Sequence, residues 1–163
     1  MTQIKSKAEL ALEFAKQRQQ WKKSPEKFFS EVLGIKLPPH QKRILKDCLK
    51  HNRVAINTSN SVGKSFLIGA VAFFYFITNL SDEPDNSTVI IITSVIFSQV
   101  KRSIFANIKH FAKRADKYVK DNFGEEYSFL PKDFSDSPNT VEFWFNELSY
   151  IMGISTDNAN AIS

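Results

Sequence analysis

Thr58-Ser59-Asn60-Ser61-Val62-Gly63-Lys64-Ser65 decides how this chain is read. The short apolar run Val54-Ala55-Ile56 precedes it and fits a buried strand. A long apolar segment from Gly63 to about Asn79 follows and reads as a helix, with Asn57 to Val62 as the polar turn between. Strand, turn, Gly-Lys-Ser and helix is the order that a phosphate-binding loop needs. The first N–H groups of a helix have no acceptor inside it, so they point at an incoming anion, and the helix dipole favours negative charge there. Gly63 has no Cβ and lets the backbone wrap closely around a phosphate. Lys64 can set its ammonium between β- and γ-phosphates, and the Ser65 hydroxyl can join the shell of Mg²⁺. The usual pattern opens with glycine five positions before Gly63, where this chain has Thr58. The competing reading is a chance tripeptide at a helix start.

Working outward, Thr88 to Thr93 carries Val-Ile-Ile-Ile, the β-branched run of a strand buried on both faces. A second long helix is expected from about Phe97 to Asn122, with the stripe Val100, Ile104, Ile108, Phe111 and Ala115. Val141, Phe143 and Phe145 alternate with polar neighbours as in a strand, and Leu148 to Ile154 suggests its partner across a tight turn. Upstream, helices are expected over Ala8 to Gln20, after Ser24-Pro25 with Phe28, Phe29, Val32 and Leu33 buried and Gly34 as the stop, and over His40 to Lys50. Ser24 is the expected N-cap of the second. The alternation of strands and helices argues for an α/β sheet with right-handed crossovers and an antiparallel edge. Ser81 to Ser87 and Pro131 to Pro138 read as loops.

The 163 residues, 42% hydrophobic and 24% charged, can build one real core, which argues against disorder and coiled coil. One cysteine, Cys48, cannot form an internal disulfide. The strongly apolar stretch Phe66 to Ile77 is shorter than the roughly 18 residues of a membrane span. MTQIKSKAEL has no signal-peptide run, so a soluble protein of a reducing compartment is expected. The net charge of +5 points weakly to a polyanionic partner.

A second chemical signal is Pro39-His40-Gln41. A carboxamide donates and accepts at once, which suits Gln41 to an adenine edge, although most glutamines at helix starts are simply solvated.

Gln41, the loop at 58–65 and Ile90-Ile91-Ile92-Thr93-Ser94 with Gln99-Val100 together resemble the ATPase domain of the large terminase subunit, the DNA-packaging motor of tailed phages. The similarity runs from about Lys27 to Ser155. It includes Phe28-Phe29-Ser30-Glu31-Val32-Leu33-Gly34, similar to that family's lead-in, and Gly153-Ile154-Ser155-Thr156-Asp157, similar to the segment before its second ATPase motif. The resemblance implies a P-loop NTPase of the helicase-like ASCE type. Residues 1–37 would form a helical lead-in and 38–163 the front of the ATPase domain, with a parallel-sheet core and a C-terminal antiparallel pair. It implies that Gln41 contacts adenine, that Gly63, Lys64 and Ser65 bind phosphates and Mg²⁺, and that Thr93 and Ser94 couple ATP to DNA. The family tolerates a small hydroxyl residue at the place of Thr58 and often has Arg where this chain has Asn57. The implied partners are double-stranded DNA, a terminase small subunit, a portal and further copies in a ring. The implied setting is the host cytoplasm, with no membrane.

Hydrolysis also needs an Asp for Mg²⁺ and a Glu for the attacking water, at the end of an apolar strand. Asp82-Glu83 and Glu147 lack that setting and read as decoys. The expectation is therefore the front part of a motor, its sheet short of a central strand and its turnover dependent on the parent protein. A helicase-like ATPase fragment and a non-hydrolysing nucleotide- or DNA-binding module are the alternatives.

Lys109, Lys113, Lys117 and Lys120 lie near one face of the second long helix and could track a DNA backbone, against the plainer reading of a solvated face. Trp144 is expected in the core. His40, His51 and His110 have no ligand spacing, and Cys48 reads as a buried inert thiol.

Overall fold

The structure is a computed structural model and describes residues 6–57, 63–80, 87–130, 134–135, 137 and 140–155. A reciprocal cap opens helix α1 (Lys7–Lys23). The Glu9 N–H donates to Ser6 Oγ at 3.3 Å and the Ser6 N–H to Glu9 Oε2 at 2.7 Å. Helix α2 (Pro25–Lys27) starts with proline in its first turn and widens at once into a π-helical turn, Phe28–Val32. There the Leu33 N–H reaches back to the Phe28 carbonyl at 3.2 Å. Ser24 takes the N-cap position of α2 as expected, its carbonyl accepting the Lys27 N–H at 3.0 Å, but its side chain makes no cap bond. Its backbone N–H instead closes α1 on the carbonyls of Gln20 and Trp21. Phe28, Phe29, Val32 and Leu33 are buried, and Gly34 ends the turn at φ +63° as expected.

Helices α3 (Pro39–Lys50) and α4 (Lys64–Asn79) follow, then strand β1 (Val89–Ser94). Helix α5 (Phe97–Gln99) runs through a second π-helical turn, Val100–Phe105, into α6 (Ala106–Phe123). Strands β2 (Glu142–Trp144) and β3 (Tyr150–Ser155) complete the order. The expected stripe Val100, Ile104, Ile108, Phe111 and Ala115 is buried throughout. The fold is mixed α/β. Its sheet has the order β1-β3-β2, with β1 parallel to β3 (Val89 opposite Tyr150, Ser94 opposite Ser155) and β2 antiparallel to it (Phe143 opposite Ile151).

Two sequence expectations need correction. Val54-Ala55-Ile56 is not a strand, and Val54 is 39% exposed. Three apolar residues bury little surface, and no strand among the described residues pairs with them, so nothing offsets the loss of backbone hydration. Strand β1 is not buried on both faces either. Ile92 is covered, together with its same-face neighbours Ile151 and Phe143, while Val89 and Ile91 are about half exposed on the other face (47% and 46%). Helix α4 and the Val100–Phe105 turn pack against β1, and the outer edge of β1 has no partner among the described strands.

An aromatic chain ties the N-terminal helices to the sheet. Trp21 meets Phe28 at 5.5 Å, Phe28 meets Phe74 at 5.2 Å, and Phe73 lies between Phe111 and Phe143. Residues on both sides of position 37 thus share one core. Arg18 Nη2 donates to the carbonyls of Ile77 (3.2 Å) and Leu80 (2.6 Å), satisfying acceptors that the end of α4 would leave open. Among the described residues no helix is long and apolar enough to cross a membrane.

Candidate phosphate site at the start of α4

Pro38 is extended and Pro39 opens α3, which places Gln41 in the first turn. Gln41 turns inward with Leu45 and is only 9% exposed, unlike the solvated glutamine usual at a helix start. Gly63 precedes α4 in the left-handed region, at φ +76° and ψ +28°, a conformation that costs glycine little and other residues more. Its carbonyl accepts the Leu67 N–H at 2.9 Å and begins the helical ladder. Gly63 has no side chain with which to cap the helix, so the leading N–H groups of Lys64 and Ser65 are not covered by their own N-cap residue. Lys64 is half-buried and Ser65 exposed.

The two chemical signals of the sequence meet here. A Cβ built on Gly63 would stand 3.0 Å from Gln41 Nε2, although the residues are 22 positions apart. The first turn of α3 therefore rests against the start of α4. Thr58, Ser59, Asn60, Ser61 and Val62 lie outside the described residues, and the exposed Asn57 is the last residue described before them.

Thr93 and Ser94 close β1. Thr93 is exposed, and Ser94 Oγ lies 3.3 Å from Gln99 Oε1 and accepts the Ile96 N–H, linking the strand end to α5. An apolar groove of about 460 Å³ runs between α3, α4 and the open edge of β1, lined by Ile44, Cys48, Leu67, Val71, Ile90 and Thr93. Burial, with Asp47 nearby, pushes the half-buried Cys48 thiol up and keeps it protonated.

Glu147 is exposed in the connection between β2 and β3, and Asp82-Glu83 lies outside the described residues. None of the described strands ends in a carboxylate pair. Among the described residues no three His, Cys, Asp or Glu side chains converge on a metal position.

The lysine stripe of α6 does not stand as one face. Lys109 is 6% exposed and donates to the Ser137 carbonyl, since α6 turns that position towards the segment before β2. Lys120 pairs with Asp116 at 2.9 Å. Burial would raise the Asp116 carboxyl, but hydrogen bonds from Lys120 and Ser128 outweigh it and hold the group below the usual aspartate range. Of the four, Lys113 and Lys117 are exposed. Trp144 is not in the core either: it is 38% exposed, lies 4.2 Å from the Tyr150 ring on the uncovered face of the sheet, and donates to Glu142 at 2.9 Å. Its place follows from strand alternation, because Phe143 takes the inward position.

No protein-family model, curated protein or solved structure matches the chain.

Proposed function

We infer that this chain is the ATP-binding front part of a P-loop motor similar to the large terminase subunit, which drives double-stranded DNA. The observation that carries the reading is the contact between Gln41 and Gly63. A chance Gly-Lys-Ser gives no reason for a carboxamide 22 residues away to be buried against its glycine. An adenine-reading group beside a phosphate loop does give one, because base and triphosphate of one nucleotide must be held together.

In this reading Gln41 donates to and accepts from the adenine edge. The backbone from Thr58 to Gly63 and the first N–H groups of α4 hold the phosphates, with the Lys64 ammonium against the β- and γ-oxygens. Ser65 would hold Mg²⁺, which neutralises charge on those oxygens when bound. Thr93 and Ser94, the latter joined to α5 through Gln99, would pass the state of the nucleotide to the DNA-gripping parts. The carboxylates for hydrolysis would come from the rest of the parent protein, as would contacts with a small subunit, a portal and ring neighbours in the host cytoplasm.

Nucleotide discrimination tests the assignment. The wild-type chain should bind ATP more tightly than GTP, and Gln41→Ala should bring the two affinities together. Unchanged discrimination in Gln41→Ala would remove the adenine role.

A further inference from the structure

Charge is unevenly placed along this chain. Lys22 to Arg53 holds nine Lys and Arg against three Asp and Glu, a local charge of +6 in a protein of net +5, so everything else together is net −1. Half of this excess, a net +3 from Lys42, Arg43, Lys46 and Lys50 against Asp47, sits on one helix. At 3.6 residues per turn, Arg43, Lys46 and Lys50 occupy the side of α3 away from Gln41 and Leu45, with Lys42 at its flank. Arg43, Lys46 and Lys50 are exposed, as is Arg53 just beyond the helix. Lys36 lines the same surface pocket as Glu26 and Lys42, extending the patch sideways.

Folding does not explain the stripe. Lys42 with Lys46 and Lys46 with Lys50 are like charges at four-residue spacing, which weakens a helix. Two acids sit among them: Asp47, one turn after Arg43 on the same helix, and Glu26, which accepts from Lys42 at 2.8 Å and lies 3.4 Å from Lys46. Those contacts hold the Glu26 carboxyl below its usual range, yet pairs this exposed add little stability. Arg43, Lys50 and Arg53 are left as the outward charges.

We propose that this outer face of α3, with Arg43, Lys46 and Lys50 at its centre and Lys42, Lys36 and Arg53 at its margins, is a docking surface for the phosphate backbone of duplex DNA. The spacing suits an extended polyanion. From Arg43 to Lys50 the helix rises about 10 Å, while successive phosphates of one DNA strand advance by about 3.4 Å along the axis. Three cations in that length can face about three phosphates in a row, and they form no concave cradle for a small anion. An anionic membrane is disfavoured because the apolar residues of α3, Ile44, Leu45 and Leu49, belong to or pack against the core and do not flank the charges at the surface. The choice of DNA over other polyanions rests on the motor reading. The geometry also sets the two sites back to back on one helix, Gln41 on the inner side and the cations on the outer.

Fluorescence anisotropy with a short labelled DNA duplex across a KCl series tests this on the whole chain. The wild type should bind with strong salt dependence. The variant R43E/K46E/K50E should bind roughly tenfold or more weakly, with its log affinity against log salt flattened by about three. R43Q/K46Q/K50Q, which only neutralises, should show the same trend more mildly and serves if the reversal variant fails to fold. The control K113E/K117E on α6 should leave binding unchanged. Duplex binding unaffected by both α3 variants, equal loss in the α6 control, or binding to phosphatidylserine vesicles without binding to duplex would each overturn the proposal. ATP affinity should be retained in the α3 variants. Conversely, Lys64→Ala should lose ATP and keep duplex, so failure of the nucleotide reading and failure of this one are separable.

Discussion

Gln41 Nε2 stands 3.0 Å from the position a Cβ on Gly63 would take, and Gly63 itself holds φ +76°. The two constraints coincide. The left-handed turn aims the start of α4, and the close approach brings the first turn of α3 against it. A Cβ at position 63 would therefore be strained by the backbone and would also make the Gln41 carboxamide give way by a few tenths of an ångström.

Gly63→Ala should lower stability by about 1–2 kcal/mol through the left-handed strain alone, and should push the Gln41 carboxamide away. Urea unfolding measures the first effect and ATP affinity the second. Wild-type values for both would contradict the geometry described for this position.

Gly153 in β3 lies close against the second π-helical turn. A Cβ there would meet Val100 Cγ1 at 2.6 Å, Phe105 Cε2 at 2.9 Å and Val141 Cβ at 3.2 Å. Gly153→Ala should cost about 1–3 kcal/mol by overpacking. Adding Val100→Ala should recover part of that loss, because the two changes share one space. Strict additivity in denaturant unfolding of the double variant would argue against this contact.

Asp116 anchors the segment after α6 by accepting from Ser128 Oγ and, at 3.1 Å, from the Phe129 N–H. Its carboxyl titrates below the ordinary aspartate value of about 3.9. The stabilisation is therefore complete above that value and is lost as pH falls through the lower, folded-state value. Asp116→Asn should be less stable at neutral pH and should show a shallower loss of stability below about pH 4. Thermal melts across that range check it, and parallel acid limbs for the two proteins would count against the assignment.

Much of the scaffold was legible in the sequence because its signals are local. The three- and four-residue spacing from Val100 to Ala115 marked the buried side of the long helix, Gly34 marked a stop, and the alternation around Phe143 marked β2. Long-range properties were not legible. Val54-Ala55-Ile56 has strand composition, but a strand exists only where a neighbour accepts its hydrogen bonds. The β-branched run of β1 suggested cover on both faces, yet cover depends on where helices land, and Val89 and Ile91 lie on the face they leave open. The π-helical turns at Phe28–Val32 and Val100–Phe105 have no composition of their own. The inward turn of Lys109 required knowing what lies beside α6. At the candidate site, Gln41 and Gly63 could each be singled out by chemistry, but their contact is a fact of packing. The basic face of α3 could have been found by counting charge in windows along the chain.

Isothermal calorimetry of ATP with Mg²⁺ against the wild-type chain and Lys64→Ala tests the phosphate site most directly. The account predicts measurable binding by the wild type and its loss in Lys64→Ala, with both proteins equally folded by circular dichroism. Equal ATP affinity in the two folded proteins would contradict it.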